Sequence, residues 1–217
     1  MEGSWISHEP KAIVFASLAI SAPTATVASN IRKENPYYFD GTEVAAGNAE
    51  QSAPGGNILP VELQLGRLPL SHHGIVFGNS VECDFRLPRK NTSARHFAIT
   101  FDESRRLVVH DLGSTNGLKV LYDEQDQEPR SDFKWIVGGD EFLENFRSIK
   151  IRIHKNFEIS IRSHQLDTKN PVVTTQIDNF RRGCPFHPLN RPKILASLAK
   201  NRAAHGRQVT HQETAIS

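Results

Sequence analysis

The chain predicts an all-β fold, an antiparallel sandwich, and three observations carry that prediction. Several short runs alternate apolar and polar residues with period two, Gly, Asn, Ser and Asp separate them, and no stretch shows convincing helical periodicity. The length of 217 residues suits one ordinary domain with extensions. Lys and Arg number 26 against 24 Asp and Glu, so a net charge of +2 provides no global field toward nucleic acid or membrane.

In chain order, residues 1–57 read as a disordered lead-in. They show little periodicity, and residues 41–57 mix Gly, Ala, Ser, Asn and Pro. Ala12 to Ile20 is the longest apolar run, about half of the ~20 residues that span a bilayer, so no membrane helix is expected. A signal-peptide core there is disfavoured by Glu2, Glu9 and Pro10 upstream. The texture changes at Pro60. Val61, Leu63 and Leu65 alternate with Glu62 and Gln64, and Phe97, Ile99 and Phe101 alternate with Ala98 and Thr100. Ile149, Ile151, Ile153 and then Phe157, Ile159, Ile161 flank Lys155-Asn156, which reads as a tight hairpin. Shorter candidate strands are Ile75–Phe77, Leu107–Val109 and Leu118–Leu121, while the acidic stretch Asp123–Asp132, with Pro129, reads as a long surface loop. Residues 58–162 are thus expected to fold as one cooperative unit whose excision costs little. Residues 163–217 read as a basic, largely disordered tail in which Pro185, Pro188 and Pro192 flank a single candidate helix, Lys193 to Ala204.

Two widely spaced cysteines, Cys83 and Cys184, argue for a reducing intracellular compartment, nucleus or cytoplasm. The chain contains no GxxxxGK[ST], GxGxxG, GxSxG or HExxH, so it is read as non-enzymatic and without a cofactor. No metal site is expected: His72 and His73 would face opposite sides of a strand, and Cys184 with His187 is a lone CxxH.

The informative block runs from Gly78-Asn79 through Ser93-Ala94-Arg95-His96 to Asp111-Leu112-Gly113-Ser114-Thr115-Asn116-Gly117. Taken singly, Asn116-Gly117 is a turn, Ser93 a loop hydroxyl and His96 a core imidazole. Together they resemble the forkhead-associated (FHA) domain, whose pattern is Gly-Arg, then SxxH, then a loop ending in NG. The likeness spans residues 58–162 and is similar to FHA segments that precede kinase domains. It implies a sandwich of about eleven strands that binds phosphothreonine peptides through loops at one end, with a phosphorylated protein or peptide as partner, no membrane role and a monomeric state. By position, Ser93 and Thr115 would offer hydroxyls to the phosphate and Asn116 would hold the peptide backbone. His96 would brace the loop, with Gly78 and Gly117 supporting the site.

Two positions depart from the pattern: Asn79 stands at the family's phosphate-binding Arg, and Ala94 replaces a frequent polar donor. A phosphate carries about −1.5 to −2 charge and calls for a cation, so Arg95 is the first substitute, with His73, Arg89 and Lys90 behind it. The alternative reading is a degenerate scaffold that binds a protein surface without phosphate. Nucleic acid would be reached only through the basic tail.

Overall fold

The computed structural model describes residues 12–39, 57–88, 90–139, 146–154 and 157–183. Ten strands and three helices follow one another: β1 (Val14–Ala22), α1 (Ala25–Glu34), α2 (Pro36–Phe39), β2 (Asn57–Gln64), β3 (Ile75–Gly78), β4 (Phe85–Arg86), β5 (Phe97–Phe101), β6 (Leu107–Asp111), β7 (Lys119–Tyr122), β8 (Lys134–Gly138), β9 (Ile149–His154), β10 (Phe157–Ser163) and α3 (Pro171–Arg182). The strands form two five-stranded sheets, ordered β2-β1-β10-β9-β7 and β4-β3-β5-β6-β8, and their inward residues share one hydrophobic core. The expected sandwich is present, with ten strands among the described residues rather than about eleven. Each candidate strand in 58–162 lies in one of these sheets, and β9 and β10 pair as the hairpin foreseen, its Lys155-Asn156 turn lying outside the described residues.

The expected boundaries are wrong at both ends. Residues 1–57 read in sequence as a disordered lead-in, yet β1 lies inside the first sheet between β2 and β10, with Leu18 opposite both Val61 and Ile161. Phe15, Leu18, Ile20 and Ala22 point into the core. The outward positions Ser17, Ala19 and Ser21 are small rather than charged, so the strand reads as an unpatterned apolar run. After β1, Thr24 caps α1 by accepting from the Val27 N–H at 3.2 Å, and α1 buries Ala28 and Ile31.

At the other end, residues 163–183 are part of the fold rather than of the tail. Asn170 caps α3, Pro171 opens it, and Gly183 ends it at φ +69°. Val173, Ile177 and Phe180 lie four and three residues apart and form one buried stripe. The Phe180 ring meets Phe15 edge-on at 5.1 Å and Phe101 at 5.7 Å, so the helix closes the core between β1 and β5. Its C-cap sits so close to the 71 loop that a Cβ on Gly183 would lie 2.9 Å from Ser71 Cα. The remaining tail, with Cys184, His187 and the candidate helix at Lys193, falls outside the described residues. No helix among the described residues is long and apolar enough to cross a membrane.

Candidate functional site

Register decides where the loops gather. In the second sheet Phe77 pairs with Phe97, Phe97 with Asp111 and His110 with Lys134. The end of β3, the start of β5, the end of β6 and the start of β8 therefore share one edge of the sandwich. The segments 79–84, 87–88, 90–96, 112–118 and 129–133 meet there.

Gly78 sets the closest approach. A Cβ built on it would lie 2.9 Å from Arg95 Cα and the Ala94 carbonyl carbon, so only glycine lets the 93–95 backbone cross the strand end. Its φ is not in the left-handed region, so the need is for space and not for a special turn. Beyond it the Asn79 and Ser80 N–H groups donate to the Ser93 and Ala94 carbonyls at 3.1 and 3.0 Å. The Asn79 side-chain amide donates to the Thr92 carbonyl. Position 79 thus splints the 92–94 backbone, with one of its two amide hydrogens committed to Thr92.

Ser93 and Thr115 come together from two different loops. The Thr115 N–H donates to Ser93 Oγ at 3.0 Å, and the two hydroxyl oxygens stand 3.4 Å apart. That separation is long for an O–H···O bond, so both hydroxyl hydrogens can turn to another acceptor. Thr115, Asn116, Ala94 and Arg95 are exposed around the pair. Arg95 makes no ion pair among the described residues, and His73 lies near enough for its charge to be felt there. Arg89 is outside the described residues, and Lys90 is exposed beside His154.

His96 lies under this arrangement, fully buried. Its Nδ1 accepts from the Ser93 N–H at 3.1 Å, and the Leu112 N–H donates to its carbonyl at 3.0 Å. Acceptance at Nδ1 places the ring proton on Nε2, which has no hydrogen-bond partner among the described residues. Burial lowers its pKa below 6.5, against the opposing pull of Asp111 and Gly117, so the ring is held neutral.

Asp111 is the organiser that sequence reasoning passed over. Completely buried, its carboxylate accepts from the Gly113 and Ser114 N–H groups, the Ser114 hydroxyl and the Asp132 N–H at 2.5–2.9 Å, and from the Ser131 hydroxyl at 3.3 Å. It fixes both the 113–117 turn and the 130–132 segment. The signal was present as Asp followed two residues on by Gly-Ser, a side-chain-capped turn. Gly117 completes that turn at φ +70°, where a Cβ would press on Pro129 at 3.0 Å. Asn116 has an ordinary negative φ, so the Asn116-Gly117 step is not the two-residue hairpin turn of the simplest reading.

Two further residues had no sequence signal. Arg86 donates through Nε to the Asn79 carbonyl at 3.3 Å and pairs with Glu34 at the end of α1. Next to Glu34, Asn35 bonds the Arg86 backbone in both directions at 2.6 and 2.8 Å.

His72 and His73 do not sit back to back on a strand. They occupy a turn with ring centroids 4.1 Å apart. Among the described residues no group of three His, Cys, Asp or Glu could hold a metal ion. Cys83 is buried, its thiol faces the Ala94 carbonyl at 3.0 Å, and burial pushes its pKa to about 11.

Residues 75–132, from β3 to the Asp111-held segment, match the family model described as FHA domain. Among solved structures the chain is similar to the FhaA FHA domain complexed with the intracellular domain of Rv3910, at 28% identity over 40% of this chain and 77% of that one, TM-score 0.28. It is similar also to Mycobacterium tuberculosis EmbR in complex with a low-affinity phosphopeptide, at 21% identity over 51% and 23% of the two chains, TM-score 0.33. A third is the N-terminal FHA domain of Saccharomyces cerevisiae Rad53p in complex with a phosphothreonine peptide, at 18% identity over 54% and 89%, TM-score 0.33. No curated protein matches the chain.

Proposed function

We propose, from the premise that residues 75–132 are an FHA domain segment, that this protein is a non-catalytic module that binds phosphothreonine peptides at the Ser93–Thr115 edge. One observation carries the reading: two hydroxyls from separate loops stand 3.4 Å apart, on a backbone locked from beneath by His96 and Asp111. A phosphate monoester needs convergent donors and a cation, and rigid loops over a sandwich supply the former. Ser93 and Thr115 donate their hydroxyls, and Asn116 grips the peptide backbone. Arg95 supplies the charge from the exposed strand start. Ala94 offers no side-chain donor, and Asn79 serves the site through the backbone rather than through the phosphate. Gly78, His96 and Gly117 support the loops.

A second reading is favoured by position 79 itself, where a neutral Asn79 supplies no charge and gives one of its amide hydrogens to the Thr92 carbonyl. Under it the same edge recognises a protein surface without phosphorylation. Calorimetric titration of the full chain with a degenerate phosphothreonine library and its unphosphorylated counterpart separates the two. The first reading expects affinity for the phosphorylated pool alone, and a loss of about tenfold or more in Ser93→Ala, as for one charge-assisted hydrogen bond. Equal affinity for both pools supports the scaffold. No phosphate-dependent binding sinks the leading function.

A further inference from the structure

The match to the FHA family begins at residue 75, yet the loop that carries Ser93 is tied to a helix forty residues earlier in the chain than that boundary. Two sets of bonds make the tie. Asn35, buried at the C-cap of α1, reaches β4 as a strand neighbour would: its Oδ1 accepts from the Arg86 N–H at 2.6 Å and its Nδ2 donates to the Arg86 carbonyl at 2.8 Å. Nδ2 also donates to the Ile31 carbonyl at 2.8 Å, so one side chain closes the helix and the edge of the second sheet together. The Arg86 side chain then bridges outward. Its NH1 meets Glu34, and its Nε donates to the Asn79 carbonyl at 3.3 Å. Asn79 in turn donates through its backbone to Ser93 and through its side chain to Thr92.

Parallel pairing of Gly78 with Arg86 puts this guanidinium beside the strand end that the Ser93 loop crosses. A planar fork with fixed donors is suited to holding a carboxylate on one side and a carbonyl on the other. The chain of contacts has no gap from α1 to the hydroxyl pair: Glu34, Arg86, Asn79, Ser93, Thr115.

We propose that the α1–α2 segment is a positioning element for the phosphothreonine site, acting through Arg86, so that events at this N-terminal segment set the affinity of the site. This rests on the phosphothreonine reading above for its consequence in binding, though the mechanical coupling stands on the contacts alone. Arg86 touches no ligand in this scheme. It fixes the Asn79 carbonyl, Asn79 fixes the Thr92–Ser93 backbone, and Ser93 Oγ stays where the Thr115 N–H and an incoming phosphate oxygen both find it. Any partner or modification that draws Glu34 away frees the Arg86 side chain and loosens the loop.

The test measures amide hydrogen exchange on the full chain at the Asn79, Ser80 and Thr115 N–H groups, whose acceptors are the Ser93 carbonyl, the Ala94 carbonyl and Ser93 Oγ. In Glu34→Gln and Arg86→Met these three amides are expected to exchange about two- to fivefold faster, the scale of a partly exposed charge pair, with the β9–β10 ladder unchanged. Phosphothreonine affinity should fall by a similar factor. Arg86→Lys, which keeps a cation for Glu34 and a donor for the Asn79 carbonyl, should stay closer to wild type in both than Arg86→Met. Wild-type exchange rates in both single variants, or equal acceleration in β9–β10, overturn the proposal. A wild-type protein without phosphopeptide affinity would overturn the assigned function instead, and the exchange rates would still decide the coupling.

Discussion

The second sheet takes its strands from residues 75–138, whereas the first gathers residues 14–22, 57–64, 119–122, 149–154 and 157–163. The second is local: β3, β5 and β6 succeed each other as antiparallel neighbours, and its loops carry the Ser93–Thr115 pair. The first is assembled from the two ends of the chain, with β1 held between β2 and β10 over registers that join Ser17 to both Glu62 and Arg162. The candidate site sits on the sheet whose strands all fall within residues 75–138, interrupted there by β7, and closure of the core depends on the sheet assembled from the two ends of the chain. The family match over residues 75–132 holds β3, β4, β5 and β6 of the second sheet with β7 of the first, and leaves out β1, β2, β8, β9, β10 and α3.

The most severe break of this contrast is truncation. A fragment of residues 58–162 lacks β1 and α3, so β2 and β10 lose their common partner and Phe101 loses Phe180. We expect no cooperative unfolding transition for it by circular dichroism, while limited proteolysis of the full chain protects a fragment spanning about residues 12–183.

Single core substitutions sharpen the same point. Phe180→Ala removes a fully buried ring from outside the family match and should cost about 3–5 kcal/mol, read from denaturant midpoints. Gly78→Ala on the second sheet should cost less, about 1–3 kcal/mol, because the backbone at 94–95 must move to admit the methyl. Phosphopeptide affinity should fall further in Gly78→Ala than in Phe180→Ala, since only the former displaces the Ser93 loop. The reverse ranking of affinities would show that the site is governed by the core rather than by its own strand ends.

A smaller effect is expected from pH. Burial holds His73, His96, His110 and His154 below their ordinary pKa of 6.5. The unfolded chain therefore binds more protons than the folded one as pH falls through 6.5 and below, so stability is greatest above that value and declines on acidification. Three of the four act on the second sheet and its loops, namely His73, His96 and His110. Thermal unfolding should shift downward between pH 7.5 and 5.5, and His96→Gln should flatten that slope. A slope unchanged in His96→Gln would place the titration elsewhere.

The residues themselves determined the strands that alternate cleanly, such as Val61–Leu65 and the β9–β10 pair, because burial on one face imposes period two wherever the other face is charged or polar. The Ser93–His96 contact was legible within one loop, three residues apart, whereas the meeting of Ser93 with Thr115, 22 residues on, was legible only through the family resemblance. Tertiary structure alone decided that Val14–Ala22 is an interior strand, because its outward Ser17, Ala19 and Ser21 give no contrast and its partners lie about 40 and 140 residues away. It alone decided that Pro171–Arg182 is a core helix, where Phe180 finds Phe15 across most of the chain. And it decided that Asn79 faces Thr92 while Arg86 and Glu34 support it, because a hydrogen bond depends on where two backbones have been brought, which no local pattern records.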